Sequence, residues 1–534
     1  MTDAPAATDT IEPGSEHVRA VARGGALNLV GSIIYGAANF VFLAIVTNAL
    51  GPEQAGPVVV AIAIFTVVSR VAELGASTGL VRMISRDRAV GRPDRIPPTI
   101  LAACLPVLMV GTAAAFVLMW CAPALADLFG GGKQTAEIAS QVRILAPFVP
   151  IASIYTVLVQ GSRGFGTMNV LVGVDKIGRS LALVVLTAVL VATGGGAAGV
   201  VFLWGVTTAV ATLITLGFVV ALTRRCTRGV TPAADGSHRK VVASFWAFSL
   251  PRAAGQSFDV AVLWLDTLLV AALIGPTAAG IYAAGTRFLL IGTFTAEAIQ
   301  QAVAPRVSAL ITLGQREEAH AVITQATSWQ AAITWPIYLG VIAFSSVLLG
   351  AFGPEYVQAQ WALILLSIGL LIAVVGGPSD AVILMSGRSR QSLANSTAAF
   401  TVNLVGNLLL VPIWGITAAG GVWAATLIVA AFLPAWQARR SLGLAPWSRE
   451  LGRTIGVSVA TVGTACALSL VTLGATVAGL VTAVVLGATT YAALMWWQRD
   501  SMHLQSLLES LRGGTRRTVS DPRPFQPRPT LEHS

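Results

Sequence analysis

The sequence predicts an all-α polytopic membrane protein of about 14 transmembrane helices, built as two six-helix lobes around a central cavity with two further helices. The first observation is composition: of 534 residues, 55% are apolar and 11% are charged, against roughly 25% charged in a soluble protein. The second is that the charges lie in short blocks between apolar runs of about 20 residues, the length that spans a bilayer core. The third is an internal repeat. Together they exclude a soluble enzyme, a secreted disulfide scaffold and a disordered chain.

The apolar runs give fourteen predicted spans, with polar tails at both ends and one longer linker. In order the spans are 26–49, 57–81, 97–120, 143–162, 169–192, 197–222, 246–273, 279–303, 327–351, 361–385, 393–413, 416–437, 454–473 and 477–498. The regions are an N-terminal tail (1–25), a first lobe (26–222), a linker (223–245), a second lobe (246–437), spans 13–14 (438–498) and a tail, mostly disordered (499–534).

The basic residues predict the orientation. Of 34 Lys and Arg, 29 fall in the tails and in alternate loops, and only Lys133 and Arg143 fall in the opposite loops. Basic loops stay on the cytoplasmic side, so both termini are predicted to be cytoplasmic and the positive charge to face anionic lipid rather than nucleic acid. The preference for arginine over lysine suggests a high-GC bacterial genome, and hence the bacterial cytoplasmic membrane.

The first six spans are predicted to repeat as spans 7–12. A shift of 224 residues places Leu50-Gly51-Pro52 on Ile274-Gly275-Pro276, Gly56 on Gly280 and Glu73 on Glu297. Because six is even, the two copies have the same orientation and are related by an axis along the membrane normal, a common transporter plan.

Spans 1, 2, 7 and 8 each carry polar residues along one helical face. An ionisable residue at mid-span costs about 2.5–3.5 kcal/mol against lipid, so these faces are expected to line a hydrated cavity. The residues proposed to meet a diphosphate and sugars are Arg23, Arg70, Arg252, Arg287, Asn28, Ser32, Tyr35, Asn39 and Gln256. Those proposed for ion coupling or helix pairing are Glu73, Asp259, Asp266 and Glu297.

These assignments follow from side-chain chemistry. The planar guanidinium fork of arginine suits phosphate, with Arg252 near the cytoplasmic entrance and Arg23 at its mouth. Neutral hydrogen-bonding groups suit sugar hydroxyls, and carboxylates suit a coupling cation, with Asp266 the better candidate. A structural alternative stays open: Arg70 and Glu73 as an i, i+3 ion pair, and Asp266 as an acceptor between helices.

No catalytic, metal or cofactor site is readable. The sequence contains no GxxxxGK[ST] phosphate loop, and its four cysteines lack metal-ligand or disulfide spacing. The loops predicted to be external are short, which leaves little room for a polymerase or ligase site. The protein is therefore not expected to be an enzyme.

Five segments resemble the oligosaccharide flippases, the polysaccharide-transporter branch of the multidrug/oligosaccharidyl-lipid/polysaccharide exporter superfamily. They are TNALGPEQAG (47–56), AELGASTGLVR (72–82), FSLPRAAGQSFDVAVLWLDTLLVAALIGPTAAGIYAAGTRF (248–288), LLGAFGPEYVQA (348–359) and NLLLVPIWGITAAGGVWAAT (407–426). The resemblance implies twelve or fourteen helices around a V-shaped cavity and export of a polyprenyl-diphosphate-linked oligosaccharide by alternating access for cell-envelope polysaccharide synthesis. It also places Asp266 at the family's span-7 aspartate.

Two rival functions within the superfamily and one outside it stay open. A lipid II flippase would be richer in arginine along span 1, and a multidrug antiporter would handle cations, which the cavity arginines disfavour. A membrane scaffold for cell-wall synthases would not need buried polar faces. The expected partners are the lipid-linked glycan, membrane lipids and a polysaccharide polymerase or glycosyltransferases, and no nucleic acid.

Overall fold

The computed structural model describes residues 13–132, 134–228, 237–289, 313–386 and 388–497, with short stretches between 292 and 311. Side chains are described in these ranges except at 13–26, 29, 237–240, 251–252, 254–263, 385 and 389. The C-terminal tail and residues 229–236 of the predicted linker therefore lie outside the described residues. The described part is helical throughout, and the all-α fold class is confirmed.

The first half of the chain consists of seven α-helices and one π-helical stretch. They are α1 (Pro13–Ala72), α2 (Ala76–Ala89), α3 (Ile96–Phe129), α4 (Thr135–Leu145), α5 (Val149–Ser162), the π-helix Val170–Arg179 that continues as α6 (Ser180–Ala192), and α7 (Ala197–Cys226).

Ten α-helices with defined bounds lie in the described part of the second half. They are α8 (Ser237–Leu273), α9 (Pro276–Thr286), α10 (Arg316–Ala343), α11 (Ser345–Gly350), α12 (Gln360–Val374), α13 (Ser379–Met385), α14 (Ser389–Leu442), α15 (Arg449–Ser458), α16 (Thr464–Leu473) and α17 (Val477–Trp497). By length and composition, eight helices of the described residues can cross a membrane.

Two of those eight helices contain a sharp reversal at a glycine. Gly51 (φ 70°, ψ 171°) divides α1 where predicted spans 1 and 2 meet, and Gly415 (φ 63°, ψ −146°) divides α14 between predicted spans 11 and 12. Glycine has no Cβ and adopts a positive φ without strain, so each hairpin needs almost no connecting loop. Each of the two long helices therefore covers two predicted spans.

Span 2 is not the continuous helix that the sequence predicts over 57–81. Helix α1 ends at Ala72, and α2 begins at Ala76 after Leu74 and Gly75, which both have positive φ (51° and 74°). A Cβ on Gly75 would lie 2.4 Å from the carbonyl oxygen of Ser249 on α8. The helix therefore breaks where its backbone packs directly against the first part of α8.

Lys176 and Arg179, which the orientation argument counts among the loop residues, lie on a helix instead. Residues 170–179, within predicted span 5 (169–192), form a π-helix that runs directly into α6, so Asp175, Lys176 and Arg179 lie on the helix of that span. The wide turns of a π-helix are uncommon and are frequently found at functional sites. Fewer basic residues therefore lie in loops than the sequence predicts. The orientation of the chain in the membrane stays a prediction.

The two halves of the chain meet at the end of the bundle opposite the arginine-rich loops, which we call the hairpin end. A Cβ on Gly56 would lie 2.3 Å from the carbonyl oxygen of Pro276, and one on Gly280 would lie 2.9 Å from Cα of Gly56. Gly56 and Gly280 are separated by the 224 residues of the predicted repeat, so repeat-related positions contact each other.

Polar and aromatic contacts surround this pair of glycines. The Asn48 side-chain amide donates to the carbonyl oxygen of Ala351 at 2.7 Å, and Gln134 donates to the hydroxyl of Thr277 at 3.2 Å. Phe40 packs edge-on against Phe288 and Phe352, with centroids 5.3 and 4.7 Å away. Each contact joins the first half of the chain to the second, so the hairpin end is closed between them.

Candidate functional site

A cavity of about 280 Å³ is lined mainly by the first half of the chain, with two further side chains from α8 and the turn after α9. Its walls come from α1, α5, the π-helix and α7. The polar and aromatic lining residues are Tyr35, Asn39, Phe42, Phe65, Thr66, Ser69, Arg70, Tyr155, Thr156, Gln160, Asp175, Arg179, Trp204, Thr208, Trp264 and Arg287. The other lining residues are apolar and lie mostly on α1.

The guanidinium of Arg179 is held in the cavity wall by a carboxylate and two aromatic rings. Its Nε donates to Oδ1 of Asp175 at 3.2 Å, and the Tyr155 hydroxyl donates to the same oxygen at 2.9 Å. The guanidinium lies 5.8 Å from the ring centroids of both Tyr155 and Trp204, within cation–π range. Only 12% of the Arg179 side chain is exposed, so the group is fixed in orientation at the cavity wall.

Arg70 reaches the cavity from the end of α1, immediately before the break in span 2. Its Nη1 donates to Oε1 of Glu73 at 3.3 Å, and the exposed fractions of the two side chains are 43% and 4%. Ser77 and Thr156 are further polar neighbours of the Glu73 carboxylate. Arg70 and Glu73 therefore form the i, i+3 ion pair that the structural alternative predicts. Arg70 also lines the cavity.

Arg287 lines the cavity from the second half of the chain, at the turn after α9. Its guanidinium lies 5.9 Å from the centroid of Trp264, and its buried Nε has no hydrogen-bond partner among the described residues. Tyr35 is an electrostatic neighbour of both Arg287 and Arg179. A buried donor without an acceptor costs about 1–3 kcal/mol, so this site is suited to an acceptor that arrives from outside.

Among the described residues, the lining of the cavity therefore carries more positive than negative charge. Three arginines belong to it, and the one carboxylate in this described part of the lining is Asp175. Guanidinium groups bind phosphate through paired charge-assisted hydrogen bonds. The rings of Tyr35, Tyr155, Trp204 and Trp264 add flat apolar surfaces beside hydrogen-bonding groups, a combination typical of ligand pockets.

The structure places four of the predicted substrate residues in this lining: Tyr35, Asn39, Arg70 and Arg287. Asn28 and Ser32 are not among the lining residues, because both accept hydrogen bonds from Lys176 Nζ, at 2.8 and 2.6 Å. Side-chain positions for Arg23, Arg252, Gln256 and Asp259, and the placement of Glu297, lie outside the described residues.

Asp266 lies outside the cavity in a second buried polar cluster, which is formed by the second half of the chain. It is 1% exposed, and its Oδ1 accepts from the amide of Asn407 at 2.9 Å. Asn403 and Tyr282 are its other polar neighbours. Four buried atoms of this cluster have no hydrogen-bond partner among the described residues: Asp266 Oδ2, Asn407 Oδ1, Asn403 Nδ2 and the Tyr282 hydroxyl.

Sequence reasoning missed Asp175, Lys176 and Arg179, because a basic stretch next to a predicted loop was counted as part of that loop. The signal that could have found them is their spacing. Asp175 and Arg179 lie at i and i+4 inside an apolar run, the pattern that marked the polar face of span 7. Trp204 and Trp264 gave no signal, since tryptophans are common near membrane surfaces.

Two family profiles match the chain. The profile described as polysaccharide biosynthesis protein matches residues 21–311, more than half of the chain, and the profile described as MatE matches residues 251–414. Among curated proteins, no sequence matches this chain significantly.

Several solved structures have the same fold. The lipid II flippase MurJ in an inward closed conformation is 12% identical with a TM-score of 0.67, covering 89% of this chain and 99% of that one. An inward-facing multidrug resistance MATE family transporter of the MOP superfamily is 17% identical with a TM-score of 0.61, covering 77% and 94%. A MOP superfamily transporter from Pyrococcus furiosus, described as having a pocket of reverse polarity, is 16% identical with a TM-score of 0.54, covering 82% and 99%. The chain therefore has the fold of MOP superfamily transporters.

Proposed function

Because the chain belongs to the polysaccharide biosynthesis protein family, we propose that it is a flippase that moves a polyprenyl-diphosphate-linked oligosaccharide across the bacterial cytoplasmic membrane by alternating access. The observation that carries this proposal is the cavity at which Arg70, Arg179 and Arg287 converge. Each arginine offers a fork that matches phosphate oxygens. The aromatic rings and neutral polar groups around them suit the sugar that follows the diphosphate.

The charge of the cavity favours this substrate over the multidrug alternative. Among the described lining residues, an amphipathic cation would meet three guanidinium groups and one carboxylate that is already paired with Arg179. Burying a cation beside like charges is unfavourable in a low dielectric. An inert scaffold would not need an arginine such as Arg287, whose buried Nε has no partner among the described residues.

A second part of the proposal concerns coupling. Asp266, Asn403, Asn407 and Tyr282 bring a carboxylate, two amides and a phenol together in a buried cluster whose hydrogen bonds are incomplete within the described residues. Oxygen donors of this kind suit a proton or a small hard cation. We infer that this cluster binds the coupling cation, and that Glu73 is instead a pairing partner of Arg70.

The test is transport by purified protein in vesicles. The substrate is a fluorescent short-chain polyprenyl-diphosphate sugar, and a membrane-impermeant reductant reports which leaflet holds it. Because a hydrogen bond to a charged group contributes about 1.5–3 kcal/mol, Arg287→Ala should slow movement about tenfold or more. Arg287→Lys should recover part of the rate, since lysine keeps the charge but lacks the fork.

The matched control is Arg316→Ala, which removes an exposed arginine that does not line the cavity. It should transport at the wild-type rate. Equal transport rates for Arg287→Ala and the wild type would show that the substrate does not pass through this cavity. Movement of the matching polyprenol without diphosphate at the same rate would show that the arginines do not select the substrate.

A further inference from the structure

Asp175 is a carboxylate in the wall of a cavity that we propose binds an anion. An anion-binding site is expected to exclude carboxylates, because the negative charge repels the ligand across a low-dielectric space. Asp175 nevertheless lines the cavity directly and is joined to Arg179 through Nε at 3.2 Å. Its presence therefore needs an explanation beyond ligand attraction.

Helix pairing alone does not explain it. Asp175 and Arg179 lie on the same helix, so their ion pair holds no two helices together. The bond from Tyr155 does link α5 to the π-helix, but a neutral amide oxygen could accept that bond equally well. What only a carboxylate supplies is a negative charge beside the guanidinium.

We propose that Asp175 is an internal counter-ion that competes with the substrate diphosphate for Arg179 and thereby makes release possible. This inference rests on the proposed function. Arginine has five N–H donors, and the bond to Asp175 uses one, so the diphosphate can engage the others while Asp175 withdraws. A carrier must bind strongly enough to load and weakly enough to unload. Arg70 already pairs with Glu73, but without Asp175 neither Arg179 nor Arg287 would have a competing carboxylate among the described lining residues, and the site would favour loading only.

The geometry supports an exchange of partners. Tyr155 and Arg179 donate to one and the same oxygen, Oδ1 of Asp175. When an incoming phosphate takes over the guanidinium, the bond from Tyr155 still satisfies the carboxylate. When the phosphate departs, Asp175 returns to Arg179 and neutralises it. Within the part of the chain that the structure describes, the other charged groups near this pair are Arg70 and Arg287 across the cavity and Lys176, which is bound to Asn28 and Ser32 on α1.

The test compares binding and turnover in the purified full-length protein. The probe is farnesyl diphosphate, with farnesol as the lipid without phosphates and inorganic pyrophosphate as the phosphates without lipid. Asp175→Asn keeps an acceptor for Tyr155 and Arg179 but removes the charge. It should bind farnesyl diphosphate about tenfold more tightly, the equivalent of about 1.4 kcal/mol, and should transport the polyprenyl-diphosphate sugar more slowly than wild type.

Two further variants control the result. Asp380→Asn removes the same charge from a half-buried carboxylate outside the cavity, which accepts a bond from Ser392 at 3.0 Å, and should leave the affinity unchanged. Tyr155→Phe removes the hydroxyl that shares Oδ1, which leaves Asp175 a stronger competitor. It should weaken probe binding about threefold, opposite in sign to Asp175→Asn, and it tests the proposal even where Asp175→Asn fails to fold.

The outcomes separate this inference from the function on which it rests. Wild-type protein that binds farnesyl diphosphate no better than farnesol would overturn the proposed function itself. Inorganic pyrophosphate that binds as tightly as farnesyl diphosphate would assign the site to free phosphates. With diphosphate binding established, equal or weaker binding by Asp175→Asn would overturn the counter-ion and leave Asp175 as an anchor that positions Arg179.

Discussion

The contact between Gly56 and Gly280 predicts how a single methyl group should change the conformational equilibrium of this protein. In Gly56→Ala the new Cβ would lie 2.3 Å from the carbonyl oxygen of Pro276 and 2.8 Å from the amide nitrogen of Thr277. Both are backbone atoms and cannot turn away as a side chain would. The two halves of the chain must therefore separate at the hairpin end.

The magnitude follows from the size of the clash. Overpacking a close contact costs about 1–3 kcal/mol, and each 1.4 kcal/mol changes an equilibrium constant tenfold. Gly56→Ala should therefore shift the balance between closed and open hairpin ends about tenfold to a hundredfold toward the open form. Gly280→Ala should act in the same direction but less strongly, because its Cβ would lie 2.9 Å from Cα of Gly56.

The assay is chemical labelling of a cysteine placed at Asn39, a cavity-lining position, in a cysteine-free background. A membrane-impermeant maleimide added on the side of the hairpin end should react at least tenfold faster with Gly56→Ala than with the parent. The control is Gly217→Ala, whose Cβ would meet nothing within 4 Å. Unchanged labelling together with unchanged thermal stability would refute the role of this contact as a barrier.

Two further predictions concern coupling and orientation. Asp266→Asn keeps the hydrogen bond to Asn407 and should fold normally, but its transport in vesicles should no longer respond to an imposed proton or sodium gradient; a preserved response would leave Asp266 as a link between helices. Cysteines at positions 195 and 415 should react with impermeant reagents outside intact cells and those at 90 and 445 should not, because basic loops stay in the cytoplasm; the reverse pattern would invert the topology.

Hydropathy predicted the helices well because a bilayer imposes one requirement on every span. Backbone groups must bond within the helix, and side chains must be apolar over about 20 residues. That requirement says nothing about where a helix breaks. The break at Leu74 and Gly75 depends on the close approach of α8, a tertiary contact that leaves no local mark in the sequence.

The sequence also cannot show which polar residues line the cavity and which bond to a neighbouring helix. Periodicity grouped Tyr35, Asn39 and Arg70, which line one cavity in the structure, because residues on one helical face must share an environment. It also grouped Asn28 and Ser32 with them, although Lys176 from another helix takes both hydrogen bonds. Which polar group faces a cavity and which faces a partner is decided by the neighbouring helix.

The arginine cavity and the Asp266 cluster are separate sites that share two helical segments. On α8, Trp264 lines the cavity and Asp266, two residues later, points into the cluster. On α9 and the turn after it, Tyr282 neighbours Asp266 and Arg287 lines the cavity. A cation that draws Asp266 and Tyr282 together would shift both segments and with them Trp264 and Arg287, which contact each other at 5.9 Å. Coupling between two sites is reciprocal for binding free energies, so a diphosphate at Arg287 would change cation affinity at Asp266 by the same factor.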